Sequence, residues 1–71
     1  MKYREKVHPP YVFLQAYQKR AGISNEDMAK ALGMSSRTYS DKVLGWSDFS
    51  PPQGKYIADM LGVSQDSIFL I

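Results

Sequence analysis

The stretch from Asn25 to Gly45, NEDMAKALGMSSRTYSDKVLG, constrains the fold most, because two short helical patterns meet there at a single glycine. Ser24 can cap the first pattern by accepting from free backbone N–H groups at a helix start. Gly33 ends it, since glycine adopts the left-handed C-terminal conformation without steric cost. Ser35 offers the cap for a second helix. The pattern predicts helices over 25–32 and 36–44, joined by a tight turn.

Side-chain size and spacing indicate how these two helices pack. Ala29 is small at the point where two helices that cross steeply over a short turn approach closely. Tyr39 and Val43 are four residues apart, so they share one face of the second helix and should contact the core. The opposite face is polar and carries Arg37, Thr38 and Asp41. A shallow face with these donors and acceptors is suited to a DNA major groove.

The same residues resemble the Cro/C1-type helix-turn-helix family of phage repressors and small bacterial regulators. The family's polar helix start, alanine, glycine, following aliphatic residue and core position match Asn25, Ala29, Gly33, Met34 and Tyr39. A second match covers 57–64, which resembles the family's fourth helix and its Ala-x-x-Leu-Gly-Val-Ser exit. The resemblance extends from about Leu14 to Ile68. It implies a compact all-α, lambda-repressor-like domain of four to five helices, with the helix-turn-helix at helices two and three.

The remaining sequence predicts three more helical segments. Apolar residues at spacings of three and four follow Pro10, so we expect a first helix over Pro10–Ala21. Ser50, followed by two prolines, should open a fourth helix that ends at Leu61 and is weakened by Gly54 by about 1 kcal/mol relative to alanine. Ser64 should cap a last short turn. We divide the chain into a basic extended arm over 1–9 and one domain over 10–71.

The two ends of the chain each allow two interpretations. The arm carries Lys2, Arg4 and Lys6, and it is either a disordered terminus or a segment that reaches the DNA backbone or minor groove. At the other end, residues 68–71 are all apolar. Either Ile68 and Phe69 close the core, or the tail forms a dimer contact. A two-fold dimer would present two reading helices to half-sites about one helical turn apart.

His8 and Trp46 lie beside the predicted helices, and each could be either a ligand-binding or a structural residue. His8 has no partner at metal-ligand spacing, so we expect it to be exposed and predict no metal site. Trp46 follows the second helix of the motif, where it could stack on a base or cap the core, and we favour capping the core.

Charge is unevenly distributed although the net charge is only +2. Residues 1–45 hold eight Lys and Arg against four Asp and Glu, whereas residues 46–71 hold one against three. The positive part therefore contains the predicted reading unit. The chain has no cysteine and no apolar run long enough to span a membrane, so we expect a cytoplasmic protein. With one histidine and scattered carboxylates we expect no enzyme, no cofactor and no small-molecule ligand.

The predicted partner is double-stranded operator DNA. Arg37 could place its guanidinium on the O6 and N7 of a guanine, or it could bind a phosphate or face solvent. Asp41, four residues on, could orient Arg37, accept from a cytosine amine or repel phosphates, and we favour orientation of Arg37. Phosphate and water-mediated contacts are expected from the remaining polar residues, which are Asn25, Ser35, Ser36, Thr38, Ser40 and Lys42. The competing hypothesis is a helix-turn-helix used to bind protein, as an antitoxin-like or antirepressor-like module. It predicts an exposed apolar patch and DNA affinity that depends little on salt.

Overall fold

Five helices make up residues 5–69, the part of the 71-residue chain that the computed structural model describes. In chain order they are α1 (Val12–Ala21), α2 (Asn25–Leu32), α3 (Ser36–Leu44), α4 (Pro51–Leu61) and α5 (Gln65–Ile68). The described residues include no β-strand, so the predicted all-α class with four to five helices is confirmed. None of these helices has both the length and the hydropathy needed to cross a membrane.

The first helix begins later than its sequence pattern predicts. Pro10 stands outside α1, and Tyr11 occupies the N-cap position with φ −81° and ψ 80°. The backbone N–H of Tyr11 donates to the carbonyl of Val43 in α3, at 2.9 Å. A tertiary hydrogen bond therefore holds Tyr11 in a non-helical conformation, and the predicted start at Pro10 is wrong by two residues.

Serine caps define the starts of the other four helices. In each case the hydroxyl oxygen accepts from the backbone N–H three residues later, and the caps are Ser24, Ser35, Ser50 and Ser64. The cap of α4 is reciprocal, because the side chain of Gln53 also accepts from the N–H of Ser50 at 2.9 Å. Between α2 and α3, Gly33 has φ 71° and Met34 N–H donates to the Ala29 carbonyl at 2.9 Å. These local bonds hold the turn of the helix-turn-helix.

Each helix contributes one fully buried side chain to the core. From α1 to α5 they are Leu14, Met28, Tyr39, Ile57 and Ile68. Val43 and Ala29 are also buried, at 3% and 1% exposure. The predicted core contacts of Tyr39 and Val43 and the small close-packed position at Ala29 are thus confirmed.

The end of the described chain packs inward. Ile68 is fully buried, and the ring of Phe69 lies 4.9 Å from that of Tyr11 in an edge-on arrangement. A Cβ on Gly54 would lie only 3.0 Å from the Phe69 ring, so the glycine that lowers the helix propensity of α4 makes room for this ring. Ile68 and Phe69 therefore close the core, while Leu70 and Ile71 lie outside the described residues.

The segment formed by residues 7–11, here called the amino-terminal segment, packs on the end of α3. Val7 N–H donates to the Gly45 carbonyl at 2.7 Å, and a ring nitrogen of His8 lies 2.9 Å from the Ser47 carbonyl oxygen. The His8 ring also stacks on Tyr11 with centroids 4.0 Å apart. His8 is buried at 8% exposure, so the expectation that it is exposed is wrong. Residues 1–4 of the predicted basic arm lie outside the described residues.

Candidate nucleic-acid interface

The first turn of α3 presents polar side chains to solvent because its opposite face is fixed in the core. Tyr39 is fully buried and Val43 nearly so, which sets the rotation of the helix. Ser36, Arg37 and Thr38 are exposed, whereas Ser40 and Asp41 are half-buried. The guanidinium of Arg37 forms no hydrogen bond or ion pair within residues 5–69, the carboxylate of Asp41 included. The predicted orienting role of Asp41 thus stays a prediction for a DNA-bound state.

Ser35 and Thr38 act as a pair at the start of α3. The Ser35 hydroxyl accepts from the Thr38 N–H at 3.1 Å and donates its own hydrogen to Thr38 Oγ1 at 2.9 Å. Ser35 is therefore occupied as the helix cap. Thr38, which accepts from Ser35, keeps its hydroxyl hydrogen for another acceptor. Of these two predicted site residues, Thr38 is the one with a donor to offer.

Lys42 anchors the loop that follows α3. Its ammonium donates to the Asp48 carbonyl at 2.8 Å. A lysine ammonium has three N–H donors, so two stay available for a phosphate. Lys6, from the described end of the predicted arm, lies over the Trp46 ring with its ammonium 5.2 Å from the centroid. The loop after α3 thus contacts two lysines, Lys42 at Asp48 and Lys6 at Trp46.

A buried polar network joins α1, α2 and α3 behind this surface. The phenol of Tyr39 donates to Gln18 Oε1 at 2.6 Å, and Gln18 Nε2 donates to Asn25 Oδ1 at 2.6 Å. Gln18 was not among the predicted site residues. Its position, four residues after buried Leu14, was the available signal, because residues four apart share one helix face. Asn25 itself is exposed at the start of α2.

A second polar cluster centres on the carboxylate of Asp48. Its Oδ1 accepts from the Tyr11 hydroxyl at 2.7 Å and from the Phe49 N–H at 2.8 Å, and lies 3.6 Å from the His8 ring. Burial, followed by this hydrogen bond and the nearby negative charge, raises the pKa of Tyr11 well above its usual value. Burial alone raises the pKa of Tyr39 in the same way. Both phenols are therefore held neutral.

These two tyrosines predict a loss of stability in alkali. A raised pKa means that the folded state holds the phenolic proton more tightly, so stability is full below pH ~10 and falls above it. The slope should approach about 1.4 kcal/mol per pH unit for each tyrosine. Urea unfolding between pH 8 and 11 measures it. Tyr39→Phe and Tyr11→Phe should each reduce the slope, while Tyr56→Phe, at a side chain 49% exposed, should not. Equal slopes in all three variants would contradict this assignment.

The exposed face of α3 also includes an apolar residue that was not among the predicted site residues. Leu44 follows Arg37 by seven residues, two helical turns, and is 37% exposed. An apolar side chain at such a place can contact a thymine methyl group. The other large apolar side chains that are exposed lie on the amino-terminal segment, α1 and α4, and they are Val7, Val12, Phe13 and Tyr56.

Within residues 5–69, no three or more His, Asp or Glu side chains cluster in a way that could hold a metal ion. Comparisons with protein-family models, with curated protein sequences and with solved structures found no match to this chain. The function of the chain is therefore inferred from the geometry of α2 and α3.

Proposed function

We propose that this chain is a sequence-specific DNA-binding transcriptional regulator of the Cro/C1 type that inserts α3 into the major groove of an operator. The observation that carries the proposal is the exposed polar first turn of α3, held at a fixed rotation by the buried Tyr39 and Val43. A reading helix contacts base edges mainly through its N-terminal residues. Small serine and threonine side chains around one arginine leave that end slender enough to enter the groove.

Arg37 is the residue we propose for base recognition. It is the second residue of α3, it is exposed, and its guanidinium is not engaged by other residues of 5–69. The planar fork of an arginine fits the two acceptors on the major-groove edge of guanine. Asp41, one turn later, would then exclude competing contacts by repelling phosphates or would pair with Arg37 once DNA is bound.

Phosphate contacts hold such a domain in register on the duplex. They are assigned to side chains around the start of α2 and along α3, which are Asn25, Ser36, Thr38, Ser40 and Lys42, while the Ser35 hydroxyl is used as the cap of α3. The free backbone N–H groups at both helix starts add donors that suit a phosphate. A phage-derived repressor of this kind would occupy its operator as a homodimer in the cytoplasm, since one reading helix covers few base pairs.

Selection of bound duplexes from a random pool tests this function. The wild-type chain should enrich a motif, and Arg37→Ala should lose preference at one guanine by about 1–3 kcal/mol, or roughly 5- to 150-fold. Arg20→Ala is the matched control, because Arg20 is an exposed arginine near the end of α1. A homodimer should enrich an inverted repeat with centres about 10 base pairs apart. Absence of any enriched motif would overturn the function, and an unchanged motif would overturn the role of Arg37.

A protein-binding module is the second candidate, favoured by one observation. Helices α2 and α3 together carry three acidic and three basic side chains, which are Glu26, Asp27, Asp41, Lys30, Arg37 and Lys42. This surface therefore has no net charge to attract a polyanion. The two candidates differ in salt dependence, because DNA affinity falls steeply with salt through counterion release, whereas an apolar protein contact does not.

A further inference from the structure

The side-chain amide of Gln18 has one orientation that satisfies its surroundings. Tyr39 is fully buried, so its phenolic hydrogen must find an acceptor inside the protein. Among the described residues, the structure gives it Gln18 Oε1 at 2.6 Å. With the oxygen of Gln18 committed to Tyr39, the nitrogen faces Asn25.

The orientation of Gln18 sets the orientation of Asn25. An amide nitrogen donates and does not accept, so Asn25 must present its oxygen to Gln18. The observed contact, Gln18 Nε2 to Asn25 Oδ1 at 2.6 Å, has this polarity. The NH₂ group of Asn25 then lies on the other branch of its amide. Because Asn25 is exposed, that group is available to an acceptor outside the protein.

We infer that Gln18 is a positioning residue for DNA: it fixes the Asn25 amide so that its NH₂ group, and not its oxygen, faces a backbone phosphate. The inference rests on the proposed function. Phosphate oxygens only accept, so an Asn25 turned the other way would meet the phosphate with its own oxygen. Because the network begins at Tyr39 on α3, it also ties this phosphate contact to the helix that reads bases.

Gln18→Glu reverses the polarity of the network and so tests it. A carboxylate still accepts from Tyr39 but cannot donate to Asn25, whose amide should turn so that its NH₂ group faces inward. In the free protein, NMR should show slower solvent exchange of the Asn25 side-chain NH₂ protons than in the wild type. DNA affinity should fall about tenfold, at least as far as in Asn25→Ala.

Three matched variants separate positioning from other effects. Gln15→Glu adds the same charge one turn earlier on an exposed part of α1 and should change affinity little. Gln18→Met removes the network without reversing it, so its loss of affinity should be smaller than that of Gln18→Glu. In an Asn25→Ala background, Gln18→Glu should cost almost nothing more. A merely electrostatic effect of the new carboxylate would persist in that background and would overturn the inference.

Phosphate ethylation interference locates the contact. Ethylation of one phosphate should hinder the wild type and Gln15→Glu, and should no longer matter to Asn25→Ala or Gln18→Glu, at the same phosphate in both. Loss of different phosphates in these two variants would overturn the positioning role alone. If the wild-type chain binds no duplex selected from the pool, the proposed function fails and the inference fails with it.

Discussion

Gly45→Ala should lower the unfolding free energy of the domain by about 3–4 kcal/mol, because it combines the strain of an L residue in a left-handed conformation with overpacking. Gly45 has φ 107°, which L side chains rarely adopt. A Cβ at this position would overlap the backbone carbonyl oxygen of His8, and backbone cannot move aside by changing rotamer. The substitution should therefore displace the amino-terminal segment from the end of α3.

Gly33→Ala and Gly62→Ala are the controls for the backbone conformation. Both glycines also have positive φ, 71° and 68°, but a Cβ would meet nothing within 4 Å at either site. Their unfolding free energy should fall only by the roughly 1–2 kcal/mol that a left-handed backbone conformation costs an L residue. Urea unfolding followed by circular dichroism measures all three. Equal losses at positions 45 and 33 would show that contact with His8 contributes nothing.

Ile68→Ala should destabilise the domain by about 2–5 kcal/mol, since it removes a fully buried side chain and leaves a cavity. A domain of this length has only roughly 4–10 kcal/mol of stability. The variant should thus be partly unfolded at 37 °C although the change lies in a four-residue helix near the end of the chain.

Thermal unfolding distinguishes the loss of a buried side chain from a general sensitivity of the helices to alanine substitution. Val12→Ala, at a β-branched residue 55% exposed in α1, should change stability by less than about 0.5 kcal/mol. If Ile68→Ala unfolded at the same temperature as the wild type, the burial of Ile68 would contribute nothing to stability. A dimer contact formed by the apolar tail would then be the better interpretation.

The sequence predicted the helix boundaries best where capping chemistry is local. A serine at the start and a glycine at the end act within one turn, and α2, α3 and α4 have the predicted bounds. The start of α1 was predicted wrongly because Pro10 is a local signal that lost to the hydrogen bond between Tyr11 and Val43. Likewise, the buried His8 ring contacts the carbonyl of Ser47, 39 residues further along the chain, and no local sequence pattern reveals such a contact.

The candidate site was predictable to the extent that helix periodicity defines faces. The spacing of Tyr39 and Val43 gave the buried side of α3 and therefore the exposure of Arg37 and Thr38. Gln18 was missed because a polar residue on a core-facing position becomes meaningful only when its partners are known. Gly54 shows the same limit. Helix propensity says only that this glycine destabilises α4, and packing against Phe69 explains why a glycine is present.

The amino-terminal segment makes the helix-turn-helix dependent on residues that precede α1. Its backbone and the His8 ring supply partners for the carbonyls of Val43, Gly45 and Ser47, where a helix end would otherwise leave acceptors to water. A fragment trimmed to the start of α1 would lose all three. The smallest transplantable form of the helix-turn-helix is therefore discontinuous, and grafting α2 and α3 onto another scaffold would require residues 7–11 to be rebuilt beside them.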